Sequence, residues 1–158
     1  MSATYEPIAS TTVSAVTTTT LSSIPGTYTD LVLVAHLTSA SDPALYFRVN
    51  ADTGTNYSTT TLRGNGSAAS SFRDTSQNSG RLSPYSMETN PGVFLVHFMS
   101  YADTNVYKTM LASSANPGTG VARMVNLWRS TSAITSITLF PGASNITGDI
   151  SLYGIQAA

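Results

Sequence analysis

The chain has 158 residues, of which 41% are hydrophobic, and this suits a single domain with a real core rather than a disordered chain. Only 9% of the residues are charged and the formal net charge is −1, so nothing in the balance draws the chain to nucleic acid or to an anionic membrane. The absence of cysteine from the sequence excludes disulfides, thiolate zinc sites and cysteine nucleophiles.

Short apolar or alternating runs, separated by Gly, Pro, Asn, Asp and Ser, follow one another at the spacing typical of β-sandwiches and barrels. No window keeps the 3.6-residue apolar pattern of a helix. We therefore predict ten strands: Thr4–Ala9, Thr18–Ile24, Asp30–Ser39, Leu45–Asn50, Tyr57–Arg63, Gly92–Tyr101, Tyr107–Ser114, Ala122–Arg129, Ile134–Phe140 and Ile150–Ile155.

Ten strands are too many for one flat sheet in a chain of this size. We predict an all-β fold, a jelly-roll-like sandwich of two sheets in a single domain over residues 1–158. The runs 31–37 and 93–99 are apolar on both faces. Strands of this kind are covered on both sides, so we expect the core on one side and either loops or a neighbouring subunit on the other.

The segment 64–91 fits no strand pattern and is predicted to be a long irregular loop. Loops of this length are usually functional or disordered. Phe72, Leu82, Tyr85 and Met87 indicate that the loop packs onto something. Its own sheet and another subunit both remain open as the surface that it contacts.

The motif Asp52-Thr53-Gly54 matches the local signature of aspartic peptidases, in which two such loops bring paired carboxylates together. Its flanks are polar here, so we interpret it as a hairpin turn. The spacing of Asn50, Asp52, Gly54 and Asn56 also resembles a calcium loop, but the downstream bidentate Glu is missing. We expect neither a metal nor a cofactor.

His36 and His97 are the only histidines in the sequence, and each lies inside an apolar run. No Gly-x-Ser-x-Gly elbow accompanies them, so we interpret both as packed strand residues and predict that the chain is not an enzyme. A carbohydrate-binding sandwich stays open as an alternative, because eight Tyr and one Trp could stack on sugars. We interpret Trp128 as a core residue.

Three blocks of sequence follow one another over most of the chain. They are SIPGTYTDLVL (23–33), FRVNADTGTNYS (47–58) with LRGNGS (62–67), and ITSITL (134–139) followed by LYGI (152–155). Together they resemble a family of small virion structural proteins of tailed bacteriophages. The resemblance implies a sandwich on the virus particle, either a capsid decoration (cement) protein bound to the major capsid protein or a tail or tail-fibre component with a receptor- or glycan-binding role. It implies no catalytic residue, and the segment 72–87 departs from the family pattern.

The predicted interface follows from the residue types that anchor protein contacts. We predict that adhesion depends on the segment 64–91 and its entrance, or alternatively on the N-terminal arm, which could add a strand to a neighbour's sheet. The residues concerned are Arg63, Phe72, Arg73, Arg81, Tyr85 and Met87 in the first case, and Tyr5 and Ile8 in the second. We also expect a homo-oligomer, a homotrimer by analogy with virion proteins, located in the virion after synthesis in the host cytoplasm without a signal peptide.

Overall fold

The computed structural model describes residues 4–40 and 44–156. These residues form β-strands and no helix, so they include no helix that could span a membrane, and the all-β prediction is confirmed. The strands are β1 Tyr5–Val16, β2 Thr19–Leu21, β3 Asp30–Thr38, β4 Leu45–Val49, β5 Tyr57–Gly64, β6 Ala69–Gln77, β7 Gly80–Ser83, β8 Gly92–Met99, β9 Lys108–Asn116, β10 Gly120–Trp128, β11 Ile137–Pro141 and β12 Ile146–Ile155.

The strands form two antiparallel sheets. The large sheet has eight strands in the order β1-β12-β3-β8-β9-β10-β5-β6, and the small sheet has four in the order β2-β11-β4-β7. The core lies between the two sheets, which gives the sandwich that the sequence predicts.

Side chains that alternate along each strand fill this core. In β3, Leu31, Leu33, Ala35 and Leu37 are fully buried. The Phe47 ring of the small sheet meets Phe98 of the large sheet edge to face, with ring centroids 5.7 Å apart. Gly80 in β7 lies directly against the Phe47 ring, where an added Cβ would overlap it. The small sheet can therefore pack closely only with glycine at this position.

A buried amide also joins the two sheets. Asn126 in β10 accepts a hydrogen bond at Oδ1 from Arg81 N of β7 (2.8 Å) and donates one from Nδ2 to Arg81 O (3.1 Å). Thr59 Oγ1 donates a further hydrogen bond to Asn126 Oδ1 at 2.6 Å. The side chain therefore pairs with β7 as a strand backbone would, and it fixes the position of the small sheet under β10.

The prediction of a long irregular loop at 64–91 is wrong, because this segment contains β6 and β7. β6 forms a hairpin with β5, and β7 is the edge strand of the small sheet. Sequence periodicity missed β6 because most of its residues are exposed, so no apolar alternation marks it. β7 has only four residues, too few for a period to be recognised.

The strand predicted at Thr4–Ala9 is longer in the structure, and residues 1–3 of the N-terminal arm lie outside the described residues. β1 extends to Val16 and pairs with β12 from Tyr5↔Ile155 to Val16↔Ile146. The Ser- and Thr-rich stretch that follows also forms strands, in the second half of β1 and in the short β2. With β6 and β7, this brings the total in the described residues to twelve strands rather than ten.

Candidate interaction surfaces

The Asp52 carboxylate is a structural acceptor in a tight turn. Oδ2 accepts hydrogen bonds from Trp128 Nε1 (2.6 Å) and Asn56 Nδ2 (2.9 Å), and Oδ1 accepts one from Gly54 N (2.7 Å). Burial raises the pKa of Asp52, but these hydrogen bonds outweigh burial and hold that pKa below its usual value. Both oxygens face N–H donors, whose partial positive charges would oppose a cation bound at the same oxygens. The residues at this turn do not fit the calcium loop that their spacing resembles.

The two histidines lie on the face of the large sheet that is turned away from the small sheet, which we call the outer face. His97 Nε2 lies 2.8 Å from Asp30 Oδ2, and Asp30 Oδ1 accepts a hydrogen bond from Ser100 N at 2.7 Å. His36 is exposed and opposes Asp149 in the register of β3 and β12, so the prediction that it is packed is wrong. Within the described ranges, no three His, Asp or Glu residues are grouped so that they could hold a metal ion.

Four of the predicted interface residues meet in one cluster of arginines and aromatic rings between β5, β6 and β7. The Arg63 guanidinium lies over Phe72 (5.3 Å to the ring centroid) and Tyr85 (5.4 Å), and Arg81 lies over Phe72 at 5.5 Å. Arg81 Nη2 also forms an ion pair with Asp74 Oδ2 at 2.9 Å. These side chains hold β6 against β7, so their contacts are made largely within the chain.

The other four predicted interface residues are dispersed. Met87 is 2% exposed and packs in the core, so its assignment to an interface is wrong. Ile8 packs against the core from β1, whereas Tyr5 is 55% exposed. Arg73 is exposed and projects from the outer face of β6. Strand addition by the arm is also disfavoured, because Pro7 and two register shifts interrupt the β1 edge.

The outer face carries an apolar surface that the sequence analysis did not single out. Residues opposite one another in neighbouring strands point to the same side, so the register aligns them in rows across six strands. The first row is His36, Val93, Ala115, Val121, Gly64 and Ala69; the second is Val34, Leu95, Ser113, Arg123, Leu62 and Ser71; the third is Val32, His97, Leu111, Val125, Thr60 and Arg73. More than half of these positions are Ala, Val or Leu.

Several of these aliphatic side chains are well exposed. Leu62 is 61% exposed, Val121 60% and Val125 50%. An open groove of about 940 Å³ crosses the first two rows, with Leu62, Val93, Leu95 and Val121 in its wall. Antiparallel sheets that face water normally present polar residues on that side, so this surface has the composition of an interface.

The charged groups of the outer face are segregated. Arg73 and Arg123 lie toward the β6 edge, and Arg123 donates a hydrogen bond to Ser113 Oγ. Asp30 and Asp149 lie in β3 and β12, toward the opposite edge. Asp149 Oδ1 accepts a hydrogen bond from Thr12 Oγ1 at 2.6 Å. The two arginines thus lie in the half of the face formed by β10, β5 and β6, with Arg123 inside the second row, and the two aspartates lie in β3 and β12 at the other end.

A smaller cleft of about 290 Å³ lies at the outer side of the small sheet. Tyr46 and Phe140 stack there with ring centroids 5.8 Å apart, and Arg48 lies 4.4 Å from the Phe140 centroid. Gln77, Asn78 and Ser79 supply polar groups to the same cleft. Trp128 does not contribute to it, because it is 3% exposed and stacks on Tyr57 in the core, which confirms its predicted placement.

Comparisons with known proteins give weak similarities. No family model matches the chain, and no curated protein matches it. Among solved structures, an alginate lyase in complex with an alginate tetrasaccharide aligns over 83% of this chain and 72% of its own, with 9% identity and a TM-score of 0.35. A protein of unknown function from Shewanella oneidensis MR-1 aligns over 98% of this chain and 80% of its own, with 8% identity and a TM-score of 0.26. These similarities are too low to carry an argument about function.

Proposed function

We propose that this chain is a non-enzymatic structural protein of a bacteriophage virion, a capsid decoration (cement) protein that acts by adhesion. The observation that carries the proposal is the exposed apolar outer face of the large sheet. Leu62, Val121 and Val125 are all exposed on this face, and exposed apolar surface with polar residues around it often marks a site of protein contact. The resemblance to small virion proteins is the reason for naming the phage capsid as the partner that would cover this face.

The lining of the large groove favours a protein partner over a sugar. Its side chains are aliphatic, serine or arginine, and no aromatic ring among them offers a stacking platform. Interface cores are rich in apolar side chains, and more than half of the positions in the three rows are Ala, Val or Leu. Adhesion also needs no nucleophile or metal, and the Asp52 carboxylate is already engaged by three donors.

The proposal is tested by adding the purified chain to phage particles that lack it and recording electron microscopy images. Density that repeats with the capsid lattice is the expected result, and density confined to the tail would select the fibre alternative. The variants Val121→Glu and Val125→Glu should lose binding, because each would place an unpaired carboxylate against an apolar partner. Thr20→Glu, on the exposed side of the small sheet, is the matched control and should bind like the parent chain.

A second candidate function is glycan binding as part of a tail or fibre. The stacked Tyr46 and Phe140 beside the side chains of Gln77 and Asn78 favour it, since sugars bind proteins through aromatic faces and amide groups. A glycan array followed by titration calorimetry tests it. Binding that is lost in Tyr46→Ala and kept in Tyr107→Ala, a substitution at an exposed tyrosine elsewhere, would favour this candidate.

A further inference from the structure

We propose that the free edge of β6 pairs with the free edge of β6 in a second copy of this chain, antiparallel and about a two-fold axis at Phe72. This inference goes beyond the proposed function and does not rest on it. Paired edges continue the sheet, so the outer faces of both copies lie on the same side and neither covers the other. The contact gives a dimer and leaves the apolar rows available to a capsid partner.

The four strands at the edges of the two sheets differ in how well they are protected from pairing. β1 is interrupted by Pro7 and by two register shifts, and β2 and β7 have only three and four residues. β6, by contrast, has nine residues and no proline. Bulges, proline and short length are the devices that keep an edge from pairing with another chain. Within the described residues, β6 is therefore the edge left open to a further strand.

The backbone groups of β6 point alternately toward β5 and away from it. Asn65 N donates to Ala68 O (3.2 Å) in the turn before β6, and hydrogen-bonded pairs alternate from there along the antiparallel ladder. Arg129 N donates to Asn56 O (3.0 Å) on the other side of β5, which gives the same alternation. The even-numbered residues of 69–74 therefore bond to β5, whereas the N–H and C=O groups of the odd-numbered residues point outward. These outward groups are the ones that a further strand would use.

One register of the pairing uses the whole regular part of this strand. The positive φ of Ser76 and the register shift against β5 end that part, so it covers residues 69–75, with Phe72 in the middle. A two-fold axis at Phe72 brings the outward groups of one copy against those of the other along this entire length. Moving the axis by one residue would carry some of these groups past the bulge or into the turn.

The side chains that this register brings together are complementary. Ser70 faces Asp74 of the second copy, and because Ser70 Oγ accepts a hydrogen bond from Arg63 Nε at 3.1 Å, its O–H can donate to that carboxylate. Ser71 faces Arg73 of the second copy, whose guanidinium can donate to the serine hydroxyl. An axis at Arg73 would instead set two guanidinium groups directly opposite each other, and like charges in that position are destabilising. The charges therefore favour the same register as the backbone.

Sedimentation of the full chain between about 10 and 500 µM should show a dimer, because main-chain hydrogen bonds give an added strand its affinity. Ser71→Pro removes an outward N–H and keeps the ladder with β5, so it should fold and raise the dissociation constant at least ~10-fold. Ser71→Thr keeps both the N–H and a hydroxyl, and as the matched control it should dimerise like the parent chain. Circular dichroism and thermal melting verify folding. A monomer at every concentration, or a Ser71→Pro dimer as tight as the parental one, would overturn the inference.

Amide hydrogen exchange read by NMR locates the contact. Between the lowest and the highest concentration, the amides of residues 69, 71 and 73 should gain at least ~10-fold protection, because they are hydrogen-bonded only in the dimer. The amides of 70, 72 and 74 are already bonded to β5 and should change less. Protection that rises elsewhere but not at the three odd-numbered residues would place the dimer on another surface and refute the edge contact.

Single-cysteine variants report the register, because the sequence has no cysteine of its own. Residues directly opposite in a hydrogen-bonded antiparallel pair have Cα atoms about 5.5 Å apart, within reach of a disulfide, whereas residue 71 and its own symmetry mate would be more than ~7 Å apart. Both Ser71 and Arg73 are exposed, so the variants should fold. On mild oxidation a mixture of Ser71→Cys and Arg73→Cys should form a disulfide-linked heterodimer, and Ser71→Cys alone should form little.

Efficient crosslinking of Ser71→Cys with itself would contradict an axis at Phe72. A mixture that does not crosslink would refute the edge pairing, and this result holds even where Ser71→Pro fails to fold.

Discussion

The Asp52 carboxylate shows what a single residue contributes to this fold. Its two oxygens accept hydrogen bonds from Gly54 and Asn56 in the same turn and from Trp128 in β10. If the turn were held only by local contacts, losing one hydrogen bond would lower the free energy of unfolding by about 1 kcal/mol. The indole N–H of Trp128 also ties the turn to β10, so loss of the carboxylate should lower the free energy of unfolding by more than this.

We predict that Asp52→Asn lowers the free energy of unfolding by about 2 kcal/mol, because either orientation of the amide places an NH₂ group against at least one donor. Because hydrogen bonding lowers the pKa of Asp52, its contribution is fully present above the unfolded pKa of about 3.9 and is lost as the pH falls through the lower folded value. Urea unfolding at pH 7 and at pH 3 measures both effects. Thr104→Ala, at an exposed position in a turn outside the strands, is the control and should change stability by less than about 0.5 kcal/mol.

Among the secondary-structure elements, β6 depends most on a few side chains. It is an edge strand paired only with β5 in the described chain, and most of its residues are exposed. Phe72 lies between Arg63 and Arg81, and Asp74 pairs with Arg81. These contacts on one side of the strand replace the burial that a central strand would have.

We predict that Phe72→Ala releases β6 without unfolding the sandwich. Loss of the ring removes two cation–π contacts, each worth about 0.5–1 kcal/mol at such a site. Hydrogen exchange should accelerate in residues 69–77 by about tenfold and stay unchanged in β3 and β8. Arg73→Ala, on the opposite side of the same strand, should leave the exchange of β6 as it is. Equal acceleration in both variants would contradict the role given to the ring.

For the molecule as a whole, buried tyrosines set the alkaline limit of stability. Burial raises the pKa of Tyr57 to about 12, against a hydrogen bond with Val49 that lowers it, and burial also raises the pKa of Tyr101. A group whose folded pKa is raised stabilises the fold fully below its unfolded pKa, here about 10, and this contribution is lost as the pH rises toward the folded value.

We predict that the free energy of unfolding falls steeply between pH 10 and 12, with about 2 to 3 kcal/mol of the fall attributable to Tyr57. Unfolding in urea at several pH values, with tyrosine ionisation followed by absorbance, measures this. Tyr57→Phe should be less stable at pH 8 but should show a shallower fall above pH 10. Tyr107→Phe, at an exposed position, should retain the parental slope, and identical slopes in all three proteins would contradict the prediction.

The sequence by itself determined the fold class and the nature of the core. Short apolar runs in β3, β8 and β10, with Gly, Pro and Asn between the strands, were sufficient because strand formation and turns depend on local patterns. The apolar character of both faces of β3 and β8 also predicted that their outer side would need a cover. The absence of a periodic signal hid β6, whose residues are ordered by their contacts with β5 and β7.

Only the tertiary structure revealed the exposed apolar rows on the outer face of the large sheet, where we propose that adhesion occurs. Leu62, Val93 and Val121 are far apart in the chain and become neighbours through the register of β5, β8, β9 and β10. Alternation tells which residues share a face of one strand, but strand order and register follow from long-range pairing that no local pattern contains. The same pairing gathered Arg63, Phe72, Arg81 and Tyr85 into one cluster and placed Arg73 on the opposite side of the sheet.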